Sequence, residues 1–188
     1  MSNQFGNNTP RHKVFVSYHH DNDQGYRNRF ENIFSDYHDI MVSKSVQMGD
    51  INPNLRTETI RQKIRDEYLR DSTVTVVLIG SETWKRKHVD WEIASSIRQT
   101  EYNSRSGLVG ILLPSYRSSD PAYDYMHHTI PPRLHDNIEC GYADIYKWSD
   151  SHSEVQKWIH SAYEKRKSQI PDNSYETFVN NRSGERWY

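Results

Sequence analysis

The stretch Val74-Thr75-Val76-Val77-Leu78-Ile79-Gly80 decides the fold class of this chain. It is apolar almost throughout, which is typical of a central strand in a parallel sheet covered on both faces. Two further apolar runs, at residues 13–18 and 108–113, also predict strands, and the second is ended by Pro114. Between these runs apolar residues recur at helical spacing. Strands that alternate with helices predict a parallel sheet with right-handed crossovers.

The remaining elements extend this pattern along the chain. We predict helices over residues 25–37, about 54–70 and beyond Asp90, which can cap its helix, and a last helix that opens with a Ser151/Glu154 capping box. A weak strand is predicted within 40–46, a loop at 48–53, an irregular excursion at 115–137 and an edge strand at 143–146. The expected fold is an α/β, flavodoxin-like doubly wound parallel sheet of about five strands in the order 2-1-3-4-5. The expected divisions are a flexible tail (1–12), one domain (13–167) and a C-terminal extension (168–188).

Composition narrows the class of partner and the compartment. The 188 residues include 24 basic and 25 acidic side chains, without a long block of one sign. This balance argues against nucleic acid or an anionic membrane as the main partner, because both attract a basic surface. Cys140 is the single cysteine, which excludes an intramolecular disulfide and suits a reducing compartment. The chain shows neither an apolar signal segment at its start nor a run of transmembrane length, so a cytoplasmic protein is expected.

Two loops should meet where ligands bind in this fold, outside the carboxyl ends of strands 1 and 3. The first, residues 17–23, carries hydroxyl, phenol, imidazole and carboxylate groups. In the second, residues 81–90, Ser81 could bind a phosphate or sugar and Trp84 could offer a stacking face. Glu92 would follow in the first helical turn, where the helix dipole favours the ionised carboxylate. Such an anion can hold ribose hydroxyls and stabilise an oxocarbenium-like transition state.

Each of these residues also has a purely structural interpretation. A glutamate in a first turn commonly complements the helix dipole, Ser81 could cap a turn, and Trp84 and Trp91 could be packing residues. The histidine pairs at 19–20 and 127–128 lack the spacing of a known metal site, so no metal is predicted. A phospho-acceptor aspartate after the third strand, a P-loop and a GxGxxG fingerprint are all absent from the sequence.

Three blocks of sequence resemble TIR domains, and more narrowly the TIR-like ThsB proteins of Thoeris anti-phage systems. The blocks are residues 14–19 (VFVSYH), residues 74–84 (VTVVLIGSETW) and Trp91-Glu92-Ile93 at the start of a helix. The resemblance covers about residues 13–165. It implies an enzyme that cleaves the nicotinamide–ribose bond of NAD, which is its substrate rather than a cofactor. The product would be a cyclic ADP-ribose isomer that activates a separate effector, and self-assembly could complete the site.

Carried over by position, the resemblance makes Glu92 the catalytic glutamate. It places Phe15, Ser17, Tyr18 and His19 on one lip of a substrate pocket, and Ser81 and Trp84 on the other. The loop near Asp50 takes the place of the family's BB loop, without a matching motif that would assign it a role. Two rival functions stay open: a non-catalytic TIR-like interaction module that signals by homotypic assembly, and a nucleoside deoxyribosyltransferase-like enzyme.

Overall fold

The computed structural model describes residues 11–35, 40–42, 52 and 54–187 of the chain. Its strands form one parallel sheet in the order β2-β1-β3-β4-β5. The strands are β1 (His12–Ser17), β2 (Ile40–Val42), β3 (Val74–Ile79), β4 (Gly107–Leu112) and β5 (Ala143–Lys147). All six residues of β3 and of β4 are buried. Their continuous apolar runs are therefore those of strands covered on both faces, as predicted.

Helices pack on both sides of this sheet, which confirms the predicted α/β class. They are α1 (His20–Phe34), α2 (Thr57–Lys63) with a π-helical continuation (Ile64–Tyr68), α3 (Lys87–Ser96), α4 (Pro132–Glu139) and α5 (His152–Ser168). Short 3₁₀ turns at Thr83–Lys85 and His127–Thr129 precede α3 and α4. Among the described residues, no helix is long and apolar enough to span a membrane.

Alternation along the strands assigns side chains to the two faces. On one face Val16 and Val76 pack with residues of α1 and α5, such as Phe30 and Ile159. On the other face strand residues pack against α2, α3 and α4, in the clusters that contain Phe15, Val77 and Ile79. Ser17 lies two residues after Phe15 on this second face. This register directs the last side chain of β1 towards α3.

Several local predictions need correction. The helix after β1 begins at His20 rather than Gly25, so the last four of the seven residues of the predicted 17–23 loop are helical. Asp90 does not cap α3, because the helix begins at Lys87 and places Asp90 inside its first turn. Ser151 is the N-cap residue of α5 but makes no capping hydrogen bond. The carboxylate of Glu154 instead accepts a hydrogen bond from Ser149. The predicted loop at 48–53 lies outside the described residues except for Asn52.

Residues 169–187, which we call the strap, return from the end of α5 across α4 and α3. The backbone N–H of Asp172 donates to Asn137 on α4, and the Asn173 side-chain amide donates to the carbonyl of Ala94 on α3. Further along the strap, Phe178 is 5% exposed. The segment that the sequence left unassigned is therefore packed on the same helices that cover the second face of the sheet.

Candidate functional site

Glu92 lies beneath the carboxyl end of β1, where its carboxyl group accepts a hydrogen bond from Ser17. The Ser17 Oγ to Glu92 Oε2 distance is 2.5 Å, and both residues are completely buried. The other carboxyl oxygen, Oε1, is buried and has no hydrogen-bond partner among the described residues. The site therefore holds a carboxyl group with one oxygen bonded to Ser17 and one buried oxygen without a described partner.

Burial, rather than the helix dipole, governs the charge of Glu92. Desolvation raises the pKa of Glu92 to about 8, and the hydrogen bond from Ser17 lowers it by less than burial raises it. The prediction that Glu92 occupies the first turn is wrong, because α3 starts at Lys87 and puts Glu92 in the second turn. The dipole effect falls off within the first turn. The carboxyl group is thus mostly protonated at neutral pH in this closed site.

The other residues predicted for the first lip of the pocket, Phe15, Tyr18 and His19, make different contacts. Phe15 is fully buried in a cluster with Ile64 and Trp91, on the face of the sheet that carries Ser17. The hydroxyl of Tyr18 donates to Gln24 of α1 at 2.6 Å, and burial raises the pKa of this phenol. His19 is 1% exposed, and burial lowers the pKa of its imidazole. The structure therefore joins Ser17 with Glu92 and aims Tyr18 towards α1.

One histidine of α3, His88, was missed by the sequence analysis, and it contacts His20 of the predicted 17–23 loop. The His88 ring hydrogen-bonds through Nε2 to the Tyr18 carbonyl at 3.1 Å, and its ring centroid lies 4.7 Å from that of His20. Burial, followed by the neighbouring His20, lowers the pKa of His88 to about 4. His88 is therefore neutral at physiological pH. A signal was present in the sequence, since residues four apart, such as His88 and Glu92, share one helix face.

The second predicted lip is divided between an exposed and a buried residue. Ser81 is exposed and donates through Oγ to the Ser115 carbonyl at 2.7 Å. Trp84 lies in the 3₁₀ turn and is only 2% exposed. It offers no open stacking face in this structure, and its substrate-binding role stays a prediction.

Asp23 links the loops at this edge of the sheet. Its buried carboxylate accepts hydrogen bonds from Thr83 and from Ser115, each at 3.4 Å. A Cβ added at Gly80 would lie 2.5 Å from the Asp23 carboxylate, so the end of β3 can approach it only as glycine. Asp23 therefore joins the start of α1 to the loop after β3 and to the loop after β4.

A buried ion pair fixes α3, the helix that carries Glu92. Arg133 of α4 donates through Nε to the Asp90 carboxylate at 2.9 Å, and both side chains are at most 2% exposed. The Phe178 N–H donates to the same carboxylate at 3.0 Å, and the Trp91 indole donates to the Phe178 carbonyl at 2.8 Å. These bonds satisfy the charged groups that burial would otherwise leave unstable.

The strap also supplies the cap that α3 lacks. Arg86, the N-cap residue of α3, makes no side-chain capping bond. The Asn181 side-chain carbonyl accepts a hydrogen bond from the backbone N–H of Lys87 at 3.0 Å. It satisfies one of the free N–H groups of the first turn from a distant part of the chain. The position of Glu92 thus depends on α4 and on the strap as well as on its own helix.

The fold and this site define a class of protein: a doubly wound α/β domain with polar side chains at the carboxyl edge of its sheet. The family model described as "Thoeris protein ThsB, TIR-like domain" matches residues 15–118, more than half of the chain. The chain belongs to this family, which confirms the resemblance predicted from its sequence. No curated protein matches the chain.

The matched region contains every predicted site residue, from Phe15 to Glu92. It ends shortly after β4, so α4, β5, α5 and the strap lie beyond it. Among the residues that the structure describes, no group of three or more histidine, cysteine, aspartate or glutamate side chains could hold a metal ion.

Proposed function

We propose that this protein is a Thoeris anti-phage signalling enzyme that cleaves the nicotinamide–ribose bond of NAD, with Glu92 as its catalytic residue. The ADP-ribose product, closed into a cyclic isomer, activates a separate effector. Membership in the ThsB family supports the anti-phage role. The observation that carries the enzymatic part is the buried Ser17–Glu92 bond, which leaves Oε1 without a described partner. NAD is the substrate, and the proposal needs no cofactor.

The chemistry follows from the two carboxyl oxygens. Ser17 holds Oε2, so Oε1 can accept a hydrogen bond from a hydroxyl of the nicotinamide ribose. The cationic nicotinamide ring favours the ionised form of a nearby carboxyl group and so lowers its pKa. The ionised Glu92 then stabilises positive charge on the ribose as the bond from C1′ to the ring nitrogen breaks. The bonding electron pair leaves with neutral nicotinamide, and water or an acceptor within ADP-ribose captures C1′.

Because Glu92 is buried, the proposed reaction requires the site to open. Glu92 and Trp84 have almost no exposed surface, so NAD reaches Oε1 only after the surrounding side chains rearrange. Self-assembly is one source of such a rearrangement. The closed arrangement is then the resting form, with a protonated Glu92. Ser17 remains the residue that orients the carboxyl group in both forms.

Mass-resolved detection of NAD products tests the proposal, with purified protein and in cells with and without phage. Glu92→Gln keeps the shape of the side chain and its bond to Ser17, so the fold should persist while product falls below detection. Glu101→Gln, which changes an exposed glutamate, is the matched control and should retain activity. Equal product from wild type and Glu92→Gln would refute the mechanism.

The same experiment addresses the second candidate, a non-catalytic module that signals by homotypic assembly. It is favoured by the closed surroundings of Glu92, which are also those of a structural core residue. It predicts that infected cells form no product and that Glu92→Gln cells stay protected. A Glu92-dependent ADP-ribose isomer would exclude it.

A further inference from the structure

A polar cavity of about 750 Å³ lies at the carboxyl edge of the sheet, beside the ends of β3 and β4. Its lining includes Ser81, Arg117, Ser119, His128 and residues 183–186 of the strap. In parallel α/β sheets ligands bind at this edge, and sites for small molecules typically measure about 300–1,000 Å³. The cavity is therefore large enough for a nucleotide-sized ligand. Glu92 is not among its lining residues.

The charge of the lining favours an anion. Arg117, from the loop after β4, and Arg186, from the strap, contribute a guanidinium group each, against the single carboxylate of Glu185. Burial, then the charges of His127, Arg186 and His135, lowers the pKa of His128, as expected in a region of positive potential. Guanidinium groups bind phosphate through paired N–H donors, which makes arginine a preferred residue for phosphate recognition.

The strap wall of the cavity is held at both of its ends. The Arg182 N–H donates to the Lys85 carbonyl at 2.7 Å before the wall. After it, Trp187 donates through its N–H to the His128 carbonyl at 3.0 Å and through its indole to the Ile130 carbonyl at 2.6 Å. Between these anchors the chain turns at Gly184, whose φ of +90° suits glycine. A wall that is already ordered loses less conformational entropy when a ligand binds.

We propose that this cavity is a binding site for a phosphate-bearing small molecule of nucleotide size. Arg117 and Arg186 hold the phosphate groups from the two sides, and Ser119 donates its hydroxyl. Two further lining residues are already paired, since the Tyr116 and Thr129 hydroxyls bond each other at 2.7 Å. Recognition therefore rests on phosphate rather than on the base. Glu92 does not line this cavity, although Ser81, which the resemblance places on a lip of the substrate pocket, does.

Isothermal titration calorimetry of the full chain with ADP, and separately with adenosine, tests this site. Wild type should bind ADP and not adenosine. Arg117→Gln/Arg186→Gln should weaken ADP binding by at least about tenfold, because both charge-assisted contacts are lost. Glu185→Gln should tighten it, since a repelling carboxylate is removed. Arg70→Gln, at an exposed arginine on the opposite edge of the sheet, is the matched control and should leave the Kd unchanged.

Three results would overturn the proposal. They are no heat from ADP at about 1 mM with wild type, equal affinity for adenosine and ADP, and an unchanged Kd in Arg117→Gln/Arg186→Gln. The two arginines and Glu185 are exposed, so these variants should keep the fold, which circular dichroism checks. The measurement needs no turnover of NAD, and its outcome therefore stands whether or not the proposed function holds.

Discussion

At the scale of single residues, the two oxygens of the Glu92 carboxyl group have different surroundings. Oε2 is bonded to Ser17, whereas Oε1 is buried without a described partner. Leaving a buried acceptor unpaired costs free energy, and an unpaired buried charge costs more. Protonation limits that cost in the closed site. The charge state of Glu92 therefore links the stability of the domain to pH.

The free energy of unfolding should fall as pH rises from about 4.5 to 8. Over this interval the unfolded chain has released the Glu92 proton and the folded chain retains it, because the pKa of Glu92 is raised from its ordinary value of 4.5 to about 8. Deprotonation therefore favours the unfolded state, by at most about 1.4 kcal/mol per pH unit. Below pH 4.5 both states are protonated, and the effect vanishes.

Urea unfolding of wild type and of Glu92→Gln at pH 5, 6, 7 and 8 measures this effect. The neutral glutamine removes the contribution of Glu92, so wild type should lose stability relative to the variant as pH rises. Parallel profiles of the two proteins would show that the Glu92 carboxyl group titrates near its ordinary pKa.

At the scale of elements, one buried ion pair joins α3 to α4. Asp90 and Arg133 are at most 2% exposed and are bonded at 2.9 Å. Arg133 also donates to the carbonyl of Asn173 at 3.2 Å and to that of Tyr175 at 2.8 Å. The guanidinium group of Arg133, on α4, therefore bonds both α3 and the strap. Its loss would leave the Asp90 carboxylate in a buried site without a counter-charge.

Arg133→Met should reduce the free energy of unfolding by about 3–5 kcal/mol, because breaking a buried pair leaves an uncompensated charge. Arg29→Met is the matched control. It removes the half-exposed pair with Asp150, and such pairs contribute at most about 1 kcal/mol. Denaturant unfolding of both variants measures the difference. Similar losses in the two variants would mean that the Asp90–Arg133 pair contributes no more than a surface pair.

The elements that the sequence predicted best are those set by local patterns. β3 and β4 were predicted because uninterrupted apolar runs are typical of strands buried on both faces. The start of α3 was misplaced because Asp90 has the residue type of a cap, while its carboxylate bonds Arg133 and Phe178 far along the chain. Strand order and the resemblance placed Ser17 and Glu92 in the same site, but the hydrogen bond between them was not predicted. The burial of Trp84 and the neutral His88 depend on tertiary packing, which no local pattern contains.

At the scale of the whole molecule, the strap closes the structure over α3 and α4. Sequence reasoning could not place it, because its polar composition lacks a helical or strand period. Its anchors are contacts to residues far away in sequence, such as Phe178 with Asp90 and Trp187 with Ile130. Phe178 is its buried apolar side chain, while the next residue, Val179, is 76% exposed. Both residues are apolar, but only Phe178 is packed, so a comparison of the two measures the effect of burial in the strap.

Phe178→Ala should lower the free energy of unfolding by about 3 kcal/mol, since it removes a buried ring. Val179→Ala should change it by less than about 0.5 kcal/mol, because its side chain is already in water. Hydrogen exchange of the α3 amides in both variants shows where the effect acts, with faster exchange expected in Phe178→Ala alone. Equal exchange in the two variants would mean that the strap unfolds separately from α3.

The bond between Phe178 and Asp90 also has a consequence for the order of synthesis. The two residues are 88 positions apart, and ribosomes add about 5–20 residues per second. A nascent chain therefore carries Asp90 for several seconds before Phe178 exists, and the partner of the Lys87 N–H, Asn181, arrives later still. During that time α3, which carries Glu92, lacks the hydrogen bonds that Asn181 and Phe178 later make with it. The growing protein acquires the finished surroundings of its candidate catalytic residue only after Phe178 and Asn181 have been added.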